Sequence, residues 1–208
     1  MKMKILIVNA HSYYNLGDAA ILMTMIERLS MVFRDAEFTV ISDTPVEDSK
    51  FYKNIKISGI KYPFERKNRL LSAFRKLIFY VRFWICVFLN KKIKHFNGQI
   101  VLQKDAVEAI KHIGSTDMVI SCGGGYLNSF GKLFARLSLI LCAIYYKKPT
   151  VMYSQSVSDL SGFLDKKLTV FTINLLDKFI CREKLTYDYL TKLGVRRDKL
   201  KIRADSAL

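Results

Sequence analysis

Short aliphatic runs alternate with longer amphipathic stretches along the whole chain, and that alternation leaves few folds open. Strand patterns fall at residues 3–9, 37–42, 117–121, 150–154 and 178–181, with weaker ones at 57–60 and near 200–203. Helical periodicity fills residues 19–33, 47–54, 104–113, 131–147, 163–176 and 183–193 between them. Asp18 is the expected N-cap of the first helix, Gly114 closes the segment 104–113 and Gly194 the last. Repeated βα units of this length predict an α/β fold, a Rossmann-like parallel sheet with helices on both faces. The chain has 208 residues and is 50% hydrophobic. That suits one well-packed domain spanning residues 1–208.

Two glycine motifs follow strand patterns. Asn15-Leu16-Gly17-Asp18 comes after Ile5–Val8, and Gly123-Gly124-Gly125 after Met118–Ser121. Glycine lets a backbone approach a ligand closely, and a helix N-terminus offers unpaired N–H groups to an anion. Two such turns predict a crevice at the carboxyl edge of one parallel sheet. An ordinary N-cap accounts for Asp18 but not for the preceding Asn15 and Gly17. A turn usually needs one glycine, not three in succession. Neither motif is a P-loop or the G-x-G-x-x-G of a classical dinucleotide site.

Other strand ends carry polar candidates. Ser154, Gln155 and Ser156 read either as a substrate-binding loop or as a plain polar one. Arg182 and Glu183 follow Lys178–Cys181; Arg182 reads as a bidentate clamp for phosphate or carboxylate, or as half of a structural Arg–Glu pair. His11 directly follows the first strand. It reads foremost as a polar loop histidine, with acid–base chemistry as the alternative; His95 and His112 read as surface or helix-end residues. No His, Cys, Asp and Glu group has metal-ligand spacing, so no metal is expected. The four cysteines show no C-x-x-C spacing and are expected to be buried free thiols in a reducing cytosol. No secretory signal pattern opens the chain.

Charge is concentrated in one stretch. Residues 50–94 hold thirteen Lys and Arg against one acid, Glu65, so they carry +12 of the net +16. Within it, a basic amphipathic helical insertion is expected at about 66–95. On a helical wheel the apolar residues from Leu70 to Leu89 fill one half, and Arg69, Arg75, Lys76 and Arg82 the other. Cations at mid-bilayer cost about 2.5–3.5 kcal/mol each, so the segment is not expected to span a membrane. Residues 68–94 suit either the surface of an anionic membrane or packing on the protein itself. No nucleic-acid motif accompanies the charge, so nucleic acid is not an expected partner. The apolar run Leu137–Tyr146 is too short to span and reads as a buried helix.

The order of the motifs is more specific than any one of them. Asn15-Leu16-Gly17-Asp18-Ala19-Ala20-Ile21 leads, then Gly123-Gly124-Gly125-Tyr126-Leu127. Ser154-Gln155-Ser156 follows, then Arg182-Glu183-Lys184-Leu185-Thr186, Leu190 and Leu193-Gly194-Val195, and finally Asp205-Ser206-Ala207. This series resembles the polysaccharide pyruvyl transferase family over essentially the whole chain. The resemblance implies transfer of a pyruvyl group from phosphoenolpyruvate to a sugar of a cell-surface polysaccharide or glycan. The implied partners are phosphoenolpyruvate, as donor substrate rather than cofactor, and a saccharide or lipid-linked saccharide. It also implies the N-terminal domain of a two-domain GT-B-like fold, working in the cytoplasm, peripheral to the inner face of the plasma membrane.

Two departures stand out. Val157-Ser158-Asp159 replaces the family's G-P, and Thr186 replaces a serine. The expectation at Leu208 is that the family's second domain, with its phosphoenolpyruvate-binding basic residues, is absent, which makes the chain a fragment or an incomplete enzyme. The alternatives are a GT-B-like glycosyltransferase using a nucleotide sugar, and a non-catalytic membrane-associated scaffold in polysaccharide biosynthesis.

Overall fold

A computed structural model describes residues 2–52, 55–62, 69–129, 132–158 and 160–203. The motif Asp205-Ser206-Ala207, Asp159 and the first residues of the basic insertion lie outside the described residues.

The strands are β1 (Lys4–Ala10), β2 (Glu37–Ser42), β3 (Lys56–Gly59), β4 (Met118–Ser121), β5 (Gly124–Leu127), β6 (Thr150–Val157), β7 (Lys178–Cys181) and β8 (Leu200–Ile202). The helices are α1 (Leu16–Val32), α2 (Pro45–Phe51), α3 (Arg69–Lys92), α4 (Lys104–Ser115), α5 (Leu133–Tyr145), α6 (Phe163–Leu175) and α7 (Lys184–Leu193). All pairings are parallel, in the order β3-β2-β1-β4-β6-β7-β8, with β5 also on β6.

Side-chain alternation along β1 divides the core. Ile5 and Ile7 pack under α1 with Ile21, Leu22 and Met25. Leu6 and Val8 face the opposite layer, with Val107 and Ile110 of α4 and Leu137 and Ile140 of α5. A period of two thus serves both faces of a sheet covered on both sides. Right-handed crossovers place helices on one face when the chain moves outward from β1 to β3, and on the other when it moves from β4 to β8. The reversal falls between β1 and β4, the topological switch point where open α/β sheets bind ligands.

Several local expectations are corrected. The N-cap of α1 is Asn15, whose Oδ1 accepts from the Gly17 N–H at 3.2 Å, while Asp18 lies in the first turn. Gly114 lies inside α4, which runs on to Ser115 with Thr116 beyond it. Gly124 and Gly125 do not form a turn into a helix: they open β5, whose Gly124 aligns with Gln155. Ser154, Gln155 and Ser156 belong to β6, not to a loop, because β6 extends past β4 to pair with β5. The apolar half of α3 is also divided. Phe79, Phe83, Cys86 and Val87 are buried, whereas Phe74, Leu77, Val81 and Phe88 are exposed. Gly194 does close α7, in the left-handed region at φ 98°. All four cysteines are buried and free.

Candidate functional site

The ends of β1, β4, β5 and β6 are tied together by a buried chain of hydrogen bonds. Asn9, near the end of β1, adopts φ 63°, a left-handed conformation that Asn tolerates better than most residues. Its Nδ2 donates to Ser121 Oγ at 3.0 Å and to the Arg136 carbonyl at 3.3 Å. Ser121 Oγ lies 2.6 Å from the Tyr126 hydroxyl, which donates to the Cys122 carbonyl at 2.5 Å. With that proton committed, Ser121 is the donor to Tyr126. Gln155 Nε2 donates to the Tyr126 hydroxyl at 2.9 Å and contacts the Cys122 carbonyl. Burial pushes the Tyr126 phenol up and the Cys122 thiol up to about 12, so both stay protonated at neutral pH.

A charged cluster sits against the Tyr126 ring. Arg136, in the first turn of α5, has a side chain only 7% exposed. Its Nη2 donates to Asp43 Oδ2 at 2.7 Å, just past β2, and lies 3.3 Å from His11 Nδ1. Its guanidinium carbon is 4.8 Å from the centre of the Tyr126 ring, and His11 packs on the same ring at 5.0 Å. Lys132 Nζ approaches Asp43 Oδ2 at 3.7 Å. Burial first, then the Arg136 charge, hold the His11 pKa below its ordinary value, against Asp18 and Asp43, which raise it. His11 is therefore neutral at pH 7. Arginine only donates, so Nδ1 is the acceptor and the ring proton sits on Nε2. The loop carrying His11 is pinned at its far side, where the Tyr13 N–H donates to buried Asp48 Oδ1 at 2.9 Å and Ser42 Oγ bonds the other carboxylate oxygen.

The three glycines play different parts. A Cβ on Gly123 would lie 3.0 Å from Ile21 Cγ2 and 3.2 and 3.3 Å from the Tyr153 and Ser154 carbonyls. That close approach fits β4 and β5 to an irregularity in β6, where the register with β7 shifts between Met152 and Gln155 and Ser154 adopts φ 48°. Gly124 has φ 146° and packs against the Tyr126 ring. Gly125 is exposed, and a Cβ there would meet only Ser156 Cβ, at 4.0 Å. Packing therefore explains Gly123 and Gly124 but leaves Gly125 without a need inside the fold.

Beside these glycines, Ser154 Oγ and Gln155 Oε1 are buried without a hydrogen-bond partner. Buried polar atoms are nearly always paired; five more side-chain oxygens among the described residues share this state, but these two fall on successive residues of β6 beside the switch point. Ser156, half-buried, continues the strip. The Arg182 N–H donates to the Gln155 carbonyl at 3.0 Å, which brings the exit of β7 alongside. Glu183 is the exposed N-cap of α7 and accepts from Thr186 Oγ1 at 2.9 Å; that hydroxyl in turn accepts from the Val157 N–H at 3.1 Å. Thr186 thus links β6 to α7.

Gly124, Gly125, Ser154, Gln155, Ser156, Arg182 and Glu183 form one strip across β5, β6 and β7. Asn15 and Gly17, both exposed, lie with Asp18 at the N-terminus of α1, and the Asp18 charge reaches His11 and Cys122. The sequence reading missed Asn9, Asp43, Asp48, Tyr126, Lys132 and Arg136 as members of the site. One signal was available for Arg136. A lone cation at the start of a buried apolar helix must find a charged partner. Among the described residues, no group of three or more His, Cys, Asp and Glu is placed to hold a metal ion.

The doubly wound parallel sheet brings these residues together at its switch point, where open α/β sheets bind ligands. The model of the polysaccharide pyruvyl transferase family matches residues 15–208, and the chain belongs to that family. It is similar to the amylovoran biosynthesis protein AmsJ of Erwinia amylovora, at 26% identity over 99% of this chain and 48% of that protein. The chain thus spans about half the length of the curated relative it matches. Among solved structures, a UDP-N-acetylglucosamine 2-epimerase matches the whole chain and 49% of its own length, at TM-score 0.55 and 14% identity. Anabaena Alr3699/HepE, solved with UDP and glucose, matches 98% of this chain and 44% of its own, at TM-score 0.55 and 12% identity. These structures share the fold, and the match to about half of each is that of one domain of a GT-B-like pair.

Two outcomes follow. Gly123→Ala should cost about 1–3 kcal/mol through overpacking, whereas Gly125→Ala should leave stability within about 0.5 kcal/mol, as urea midpoints will show. His11 and His112 both have pKa values held down, chiefly by burial. The unfolded chain therefore binds protons that the folded chain refuses. Stability is full above the ordinary histidine pKa, about 6.5, and falls as pH drops below it. His11→Asn should flatten part of that slope in urea titrations across the window. An NMR titration placing His11 at or above its ordinary pKa would contradict the assignment.

Proposed function

We propose that this chain supplies the acceptor-side wall of a polysaccharide pyruvyltransferase, which moves a pyruvyl group from phosphoenolpyruvate to a sugar. In that reaction one sugar hydroxyl adds to C2 of phosphoenolpyruvate while the C3 methylene gains a proton and becomes a methyl group. A second hydroxyl then displaces phosphate from C2, giving the ketal and inorganic phosphate. The two hydroxyl protons balance those gained by C3 and by phosphate.

The observation that carries the reading is the orphaned pair Ser154 Oγ and Gln155 Oε1 beside exposed Gly125. A hydroxyl both donates and accepts, so a sugar can satisfy a side-chain hydroxyl and an amide oxygen together. Gly125 leaves room for a pyranose ring to approach the β5 backbone. Lys132, whose side chain is 42% exposed, is the accessible cation for an anionic group of the acceptor or donor. Arg136 is buried on Asp43, so its role is to position His11 and the Tyr126 ring. The His11 Nε2–H is the neutral donor the chain offers near the reacting atoms. Arg182 and the amides at the start of α1, beside Asn15, Gly17 and Asp18, add to the anion-holding side. On this reading the reaction takes place at the cytoplasmic face of the membrane, where a lipid-linked saccharide would be accessible.

Ser154→Ala separates function from folding, because the hydroxyl has no partner to lose. In the full-length gene product, supplied with phosphoenolpyruvate and an acceptor glycan, the variant should keep its unfolding midpoint and raise the acceptor KM about tenfold. Phosphate release and mass spectrometry of the glycan provide the readout. No phosphate release across a broad glycan panel, with tight UDP binding instead, would point to a nucleotide-sugar enzyme.

A further inference from the structure

The longest helix presents a surface that its own fold leaves uncovered. α3 buries Phe79, Phe83, Cys86 and Val87 on the domain. Its opposite side exposes Phe74 (60%), Leu77 (60%), Ile78, Val81, Ile85 and Phe88. At about 100° per residue these six fall within an arc of roughly 100°, so they form one continuous ridge along the helix. Contiguous apolar surface of this kind marks an interaction site.

The edges of the ridge are as distinctive as its crest. On one side, exposed Arg75 and Arg82, two turns apart, border a groove of about 410 Å³ floored by Ile78, Phe79 and Leu102. The other side is a groove whose lining includes Tyr80 and Trp84, side chains with an apolar body and a polar tip. Lys91, Lys92 and Lys94 gather at the C-terminal end. The helix carries no acidic residue.

We infer that α3 is a membrane-docking helix that lies in the interface of an anionic bilayer. Its apolar ridge enters the acyl boundary, and Arg75 and Arg82 meet lipid phosphates. Charge decides among the occupants. A second copy of the chain would bring Arg82 and the Lys91, Lys92 and Lys94 end against the same cations, and α3 itself carries no carboxylate to offset them. An anionic lipid surface matches both the ridge and its cationic border, and each Arg near such a surface contributes about 1 kcal/mol. No helix among the described residues is long and apolar enough to cross a membrane, so the contact is lateral. This surface is separate from the strand-end site, and its test does not depend on catalysis.

The test is co-sedimentation of the full chain with vesicles of phosphatidylcholine alone and with roughly a third phosphatidylglycerol, at low and high salt. Binding is expected to the anionic vesicles, weak on the neutral ones and reduced by salt. The pair Arg75→Gln and Arg82→Gln should weaken it about 30-fold. Phe74→Ser with Val81→Ser should weaken it by a similar factor, with thermal unfolding unchanged because both side chains are at least half exposed. Failure to partition onto anionic vesicles at low salt would overturn the inference, as would equal binding by both double variants. A concentration-dependent dimer abolished by the serine variants, and not displaced by vesicles, would overturn it in favour of self-association.

Discussion

Everything at the carboxyl edge of the sheet depends on one buried chain of hydrogen bonds, from Asn9 through Ser121 and Tyr126 to Gln155. Its members come from β1, β4, β5 and β6, the strands on either side of the switch point. In the interior such bonds are strengthened by low dielectric, and the same low dielectric makes a missing partner costly. The network therefore fixes the strand ends relative to one another and sets the positions from which the site is built. Ser154 Oγ and Gln155 Oε1 are the atoms it leaves unsatisfied.

The charged cluster extends this design outward. Arg136 holds Asp43 and approaches His11 while lying over the Tyr126 ring, so it ties together the loop after β1, the exit of β2 and the start of α5. Taking Arg136 out of water is costly, and Asp43 at 2.7 Å is the compensation. The positive field of Arg136 also helps to keep His11 neutral, with its proton on the nitrogen that faces away from the guanidinium. The chain belongs to the polysaccharide pyruvyl transferase family and spans about half the length of the curated relative it matches.

Local pattern made the architecture legible. Aliphatic runs of four to seven residues gave β1, β2, β4 and β7 nearly to the residue, because buried parallel strands cannot avoid them. Motif order was enough to suggest the family. What stayed hidden was whatever depends on distant residues. Asp18 looked the better cap, but cap geometry is set by where the chain leaves β1, and that placed Asn15 at the corner. Gly123–Gly125 looked like a turn because glycine is rare in strands. The close approach of Gly123 to the irregular part of β6, and the packing of Gly124 on the Tyr126 ring, are invisible in sequence. The site members Asp43, Tyr126 and Arg136 lie 83 and 10 residues apart in pairs and meet only in the folded chain. For α3 the periodicity was plain, but which part of its apolar half would be buried depended on the packing of α4.

The central claim is that the hydrogen-bonded residues across the four strands act as one unit, and a double-mutant cycle tests it directly. Ser121 and Gln155 are joined through the Tyr126 hydroxyl rather than by direct contact. Unfolding free energies from urea titrations would be measured for Ser121→Ala, Gln155→Leu and the double variant. A coupling of about 0.5–3 kcal/mol is the result expected of a shared network. Additivity within about 0.3 kcal/mol would mean that the two ends are independent, and would contradict it.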